Sequence, residues 1–246
     1  MTYFRFHLLF NLPATVALLA LAWFQDEHGS QWAPGEGWAA LAVLAAVMVF
    51  TSPWDNDAVR RGIWDFPPGR YWRRIKFLPF EEYLFFVWQS VNVMLSVGWL
   101  LRVAPGWRTG EGTPVGPLNG AAILLLLVFW TALGLRSRKR PFAAKWNYAW
   151  HLLYWFLPVI ALQWCLAPVL FLKLAPVLGA ATLFWGTYYT AADVVAVRAG
   201  VWTFDPGQIT GRRLFGILPW EEIAFFYLTS LLVAQSFLLL LPAVLR

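Results

Sequence analysis

Seven long apolar runs alternate with polar segments along this 246-residue chain. They cover approximately residues 3–24, 38–54, 79–103, 117–135, 147–166, 174–195 and 217–242. A helix needs about 20 apolar residues to cross the hydrocarbon core, and inside lipid it satisfies its own backbone. A β-barrel would show short alternating segments instead. The pattern therefore predicts an all-α integral membrane protein with seven transmembrane helices. The first run is of full spanning length and carries one early Arg5, so it reads as a span rather than a cleaved signal.

Composition agrees. Hydrophobic residues make up 60% of the chain and charged ones 13%, against roughly 25% charged in soluble domains. The basic residues are unevenly placed. Arg5, the loop 60–76, the loop 136–145 and the loop 198–213 hold fifteen of the 19 Lys and Arg, all on one side if the runs alternate. Arg102, Arg108, Lys173 and Arg246 fall on the other side. By the positive-inside rule the N-terminus is cytoplasmic and the C-terminus outside, in the inner (plasma) membrane. The net charge of +6 thus reflects topology and implies no nucleic-acid partner. A single cysteine, Cys165, rules out an intrachain disulfide and reads as a small core residue.

The polar segments repeat. Pro79-Phe80-Glu81-Glu82-Tyr83-Leu84-Phe85-Phe86 recurs as Pro219-Trp220-Glu221-Glu222-Ile223-Ala224-Phe225-Phe226. Upstream, Asp55, Arg60, Gly62, Trp64, Pro68 and Gly69 reappear 138 positions later as Asp193, Arg198, Gly200, Trp202, Pro206 and Gly207. His7-Leu8-Leu9 echoes His151-Leu152-Leu153. The first three spans therefore match the last three in the same orientation, with the fourth as a linker. This divides the chain into a first repeat at 1–116, a linker helix with a basic loop at 117–145, and a second repeat at 146–246. Parallel repeats commonly place a shared site at their interface. The loops after the second and sixth spans, rich in Gly, Pro and aromatics, are expected to lid it.

Ionisable groups at membrane depth point to function, and Glu81, Glu82, Glu221 and Glu222 form two matched pairs. One isolated copy would read as an ordinary helix start, with proline first and carboxylates on the helix dipole. Duplication with the same aromatics shifts the reading to chemistry. Glu81 and Phe85 share a helix face, as do Glu82 and Phe86, and the second copy repeats this with Phe225 and Phe226. A carboxyl group in an apolar pocket favours its neutral form. Beside π faces it can protonate an alkene and stabilise the resulting cation. Trp64 and Trp202 are candidates for the same aromatic wall. His7 and His151 fit either a proton relay or a structural hydrogen bond. Asp55 and Asp193 fit either the site or an ion pair with nearby arginines.

Several motifs are absent from the sequence. It has no GxGxxG, no P-loop, no HExxH and no DDxxD-like cluster, so neither a cofactor nor a metal is implied. Lysines occur only at 76, 139, 145 and 173, which leaves the last span without a Schiff-base lysine for retinal.

The doubled Pro-x-Glu-Glu-x-x-Phe-Phe, each copy preceded by Gly-x-Trp and a Pro-Gly loop, resembles the small membrane-integral lycopene cyclases of bacteria, archaea and fungi. The chain is similar to the fused form of the heterodimeric bacterial enzymes. The resemblance implies an isomerase of carotenoid biosynthesis that forms β-ionone rings from the ψ ends of lycopene, without cofactor or net redox change. Its motif acids fall on Glu81, Glu82, Glu221 and Glu222. The expected partners are a membrane-soluble carotenoid and the lipid bilayer, with a homo-oligomer left open. A proton-coupled transporter and a non-catalytic carotenoid-binding protein are the competing readings.

Overall fold

The computed structural model describes residues 1–25, 35–107, 117–139 and 142–242, and it is mostly helical. Arg108, Arg140 and Arg246, which enter the charge count above, lie outside these residues. The chain opens with α1 (Tyr3–Phe6), which runs through a π-helical turn at His7–Asn11 into α2 (Leu12–Gln25). Then follow α3 (Glu36–Arg60), the short strands β1 (Trp64–Asp65), β2 (Arg74–Ile75) and β3 (Leu78–Pro79), and α4 (Phe80–Val103). Next come α5 (Pro117–Lys139), α6 (Asn147–Leu166), α7 (Pro168–Lys173) and α8 (Ala175–Arg198). Strands β4 (Thr203–Phe204), β5 (Arg213–Leu214) and β6 (Leu218–Pro219) lead into α9 (Trp220–Leu240).

Six helical stretches among the described residues are long and apolar enough to cross a membrane, against the seven that the sequence pattern predicts. They are Tyr3–Phe24, Glu36–Arg60, Phe80–Val103, Asn119–Ser137, Ala144–Leu166 and Trp220–Leu240. The long helix outside this set, among the described residues, is α8. It has 24 residues, so length is not the reason. Trp185, Tyr189, Thr190 and Asp193 lower its hydropathy, and all four are buried. These four face protein and each makes a hydrogen bond there, so the sequence need not be as apolar as that of a lipid-facing helix.

Helix ends differ from the pattern in one useful way. The second apolar run stops at Trp54, but α3 continues to Arg60 and carries Asp55 as a buried helical residue. Pro53 is accommodated inside this helix. Likewise α8 runs to Arg198 and buries Asp193. Pro79 and Pro219 are not first helical residues. Each ends a short strand in extended conformation, and Phe80 and Trp220 begin the helices.

The segments after α3 and α8 are folded, not loose. Gly62 and Gly200 terminate the two helices with φ of 69° and 65°. Ile63 N–H then bonds back to Ala58 O and Val201 N–H to Ala196 O, which closes each end with a left-handed cap. Strands β2 and β3 form one hairpin, and β5 and β6 another. Strands β1 and β4 come from the two different segments and pair antiparallel, Trp64 opposite Phe204 and Asp65 opposite Thr203. Gln208 Nε2 adds hydrogen bonds to Arg61 O and Gly62 O across the same junction. The neighbouring exposed Asp205 carboxyl is held below its ordinary pKa by hydrogen bonds from Gln208 and the Gly207 N–H.

The caps give a direct test of this backbone. A non-glycine residue at left-handed φ costs about 1–2 kcal/mol. Space is available at both caps, with Gln208 Nε2 3.8 Å from a β-carbon at Gly62 and Arg70 3.7 Å from one at Gly200. Gly62→Ala and Gly200→Ala should therefore each lower unfolding stability in detergent by about that amount. Gly37→Ala, on an open helix surface, should not lower it. Equal stability of all three variants would contradict the cap assignment.

Candidate active site

Glu82 and Glu222 start from the first turns of α4 and α9 and line one cavity together with Asp55 from α3. All three carboxyl groups are buried. The Tyr3 hydroxyl donates to Glu82 Oε2 at 2.7 Å. On the other side of the cavity the Tyr148 hydroxyl donates to Glu222 Oε2.

The two tyrosines are placed by their backbones. Tyr3 N–H bonds to Arg70 O at 2.7 Å and Tyr148 N–H to Gln208 O at 3.0 Å. Each connecting segment thus clamps the helix start that presents a tyrosine to a glutamate. Trp64 Nε1 donates to Asp55 Oδ1 at 3.1 Å, while its ring packs on Tyr148 with centroids 5.0 Å apart. Trp202 Nε1 donates to Asp193 Oδ1 at 2.7 Å, and its ring packs on Tyr3 at 5.0 Å. The bracing is crossed. The tryptophan beside Asp55 steadies the tyrosine of Glu222, and the one beside Asp193 steadies the tyrosine of Glu82.

The neighbouring glutamates point elsewhere. Glu81 Oε1 accepts the Trp72 N–H at 2.8 Å, and Glu221 Oε1 accepts the Thr210 N–H at 2.7 Å. Adjacent helical residues differ in direction by about 100°, so one of each pair anchors the hairpin segment and the other faces the cavity. Asp193 is fully buried behind Trp202 and does not line the cavity. His7 receives Asn11 Nδ2–H at Nδ1, so Nε2–H donates to Glu81 O at 2.9 Å. His151 Nε2 lies 3.0 Å from Trp54 O. Neither imidazole lines the cavity.

Aromatic rings supply the walls. Phe85, Phe225, Phe226, Trp64 and Trp202 line the cavity as expected, while Phe86 lines a second cavity deeper in the bundle. Five further aromatic residues line it that were not legible as site residues. Tyr3 precedes His7 by four positions but Tyr148 precedes His151 by three, so the shift hides their match. Phe66 and Phe204 stand at the 138-residue offset, and the shared Trp-x-Phe was the available signal. Trp54 has Ala192 at the matching position, so repetition gives no signal for it.

Fold and site together define a multi-pass helical membrane protein that encloses a carboxyl cluster in aromatic walls. A protein of Halobacterium salinarum named lycopene beta-cyclase is 32% identical over 199 residues, 80% of this chain and 79% of that protein. A bifunctional lycopene cyclase/phytoene synthase of Phaeosphaeria nodorum is 28% identical over 239 residues, 92% of this chain but 39% of the longer relative. Another of that name, from Sporisorium reilianum, is 28% identical over 255 residues, 96% of this chain and 34% of its own length. The chain belongs to the lycopene cyclase family. No family model matches it, and no solved structure does.

The split within each glutamate pair predicts separable effects. Glu81→Ala and Glu221→Ala leave a partly buried N–H without its acceptor, at about 1–3 kcal/mol each. Both should lower thermal stability in detergent. Glu82→Gln, which keeps the shape and accepts from Tyr3, should change stability less. A larger loss from Glu82→Gln than from Glu81→Ala would contradict the split.

Proposed function

We propose that this chain closes β-ionone rings on the ψ ends of lycopene, with the cavity carboxyl groups moving the protons. The chain is an enzyme of carotenoid biosynthesis of the cyclase class. The β-type product and the roles of individual residues are our reading. The observation that carries it is that Asp55, Glu82 and Glu222 line one aromatic cavity, with Tyr3 hydrogen-bonded to Glu82 and Tyr148 to Glu222.

The chemistry needs one proton delivered and one removed. A protonated carboxyl group in the Asp55–Glu82 pair gives its proton to the terminal alkene. The tertiary cation that forms is attacked by the next alkene, which closes a six-membered ring. Glu222, hydrogen-bonded by Tyr148, takes the proton that leaves the ring cation. Hydrogens and electrons balance, so the product is an isomer and no redox cofactor is needed. General acid–base help of this kind contributes about 10²–10⁴ in rate. Phe85, Phe225 and Phe226 offer π faces to the cation, and keeping water out prevents its capture as an alcohol. Glu81, Glu221, His7 and His151 act by position, holding the hairpins and helix starts from which the carboxyls project. Asp193 does the same for Trp202.

The remaining architecture follows the same proposal. Ala175–Arg198 is a seventh span. Residues 1–116 and 146–246 are parallel repeats joined by 117–145, and the matched contacts around Glu82 and Glu222 support this. The basic loops place the cavity near the cytoplasmic face of the inner membrane. The names of the relatives favour cyclisation over proton-coupled transport.

Expression in a lycopene-accumulating bacterium tests the function. HPLC should show cyclic carotenoid replacing lycopene. Membranes given unlabelled lycopene in deuterated water should place one carbon-bound solvent deuteron in the product per ring closed. Unchanged lycopene, at confirmed protein expression, would overturn the proposal.

A further inference from the structure

Below the carboxyl cavity lies a larger one, of about 150 Å³, between α3, α4, α6 and α9. Its lining is mainly apolar and includes Val43, Val47, Phe156, Leu232 and Val233. The polar exceptions include Gln89 and Thr229, which bond to each other at 2.8 Å and so present little free polarity. Ala46 lines this cavity and is also exposed on the outer surface of the bundle. The cavity therefore reaches the apolar surface of α3, where Val49 and Leu41 are exposed as well. Phe225 lines both cavities. Its ring lies parallel to Trp54, 5.3 Å between centroids at 10°, and forms the partition between them.

The matching place in the second half is filled. At the 138-residue offset, Ala46, Val47, Phe50 and Thr51 become Phe184, Trp185, Tyr188 and Tyr189. Trp185 and Tyr189 are buried, and hydrogen bonds fix them. Trp185 Nε1 donates to Ser96 Oγ at 2.8 Å. Tyr189 donates to Asn11 Oδ1 at 3.0 Å and accepts from Asn92 Nδ2 at 2.9 Å. Tyr188 donates to Phe10 O at 2.7 Å. Large rings in a bonded network leave that side closed.

We infer that the chain has a single polyene channel: the open cavity between α3 and α6 admits the conjugated chain from lipid past Ala46, and Phe225 turns to pass one end group to the carboxyl site. The filled second half carries no channel. The two ends of a symmetric polyene then use the same opening in succession, so a one-ringed intermediate must withdraw before its second end enters. This rests on the cyclase reading given above.

The test copies the closed half into the open one. Ala46→Phe with Val47→Trp should cut cyclisation by about 10²-fold or more, because the end group loses its approach to the acids. Val49→Phe, on the exposed face of the same helix, should not. Ala46→Leu, a smaller plug and a gentler change to packing, should give an intermediate loss. Binding is read separately in Glu82→Gln protein, as the induced circular dichroism of added lycopene. The double plug should abolish that signal while the protein stays monodisperse with an unchanged far-UV spectrum. Unchanged turnover and signal in both plugged proteins would overturn the channel, as would a cavity that retains only lipid acyl chains while lycopene binds as before. Loss of lycopene binding on plugging, in a chain that forms no ring at all, would leave the channel standing and refute the cyclase reading instead.

Discussion

Burying carboxyl groups at the end of an apolar helix bundle is the constraint on which the rest of this structure depends. A buried polar group without a partner costs about 1–3 kcal/mol, and a charged one costs more. Asp55, Glu82, Asp193 and Glu222 are all buried, and each has its own donor. The donors are Trp64, Tyr3, Trp202 and Tyr148. Those four side chains in turn require the connecting segments to fold back over the helix ends. The β1–β4 pairing, the glycine caps and the clamps at Arg70 and Gln208 serve that placement. The neighbouring Glu81 and Glu221 fasten the hairpins to the same helix starts. The cavity carboxyls and the scaffold anchors are thus adjacent residues on one helical turn.

The crossed tryptophans bear on how the site works. Trp64 touches both Asp55 and Tyr148, and Trp202 both Asp193 and Tyr3. A change in either segment therefore reaches carboxyls in both halves of the chain. On the function proposed here, such a site acts as one unit and not as two independent copies. Apart from the two tyrosine hydroxyls, which are engaged by Glu82 and Glu222, the walls around it are rings with no lone-pair nucleophile for a carbocation and little room for water. A membrane enzyme of carotenoid cyclisation needs both properties.

Much of this was legible because the same polar residues occur twice in an otherwise apolar chain. The motif glutamates, the aspartates and five of the six expected phenylalanine and tryptophan wall residues do meet around one cavity or directly behind it. What escaped had physical reasons. Adjacent glutamates look alike in sequence, and only their helical phase separates the cavity residue from the anchor. Tyrosine near a membrane surface is ordinary, and a one-residue shift hides the match of Tyr3 with Tyr148. Hydropathy ends α3 at Trp54, yet the helix continues because Asp55 finds a partner inside. The low hydropathy of α8 has the same origin, since Trp185, Tyr189 and Asp193 face protein. Repetition also conceals difference: Val47 and Trp185 are matched positions, and only packing reveals that one side is open and the other filled.

We propose that carboxyls from both halves of the chain form one proton-transfer site. Glu82→Gln and Glu222→Gln, made singly, address it most directly through the products each leaves in lycopene-accumulating cells. Gln preserves the shape and accepts the tyrosine hydroxyl but carries no acidic proton. One shared site predicts that either change stops all ring closure, leaving lycopene alone. Accumulation of a one-ringed carotenoid at the wild-type rate by either variant would show two independent sites and contradict the claim.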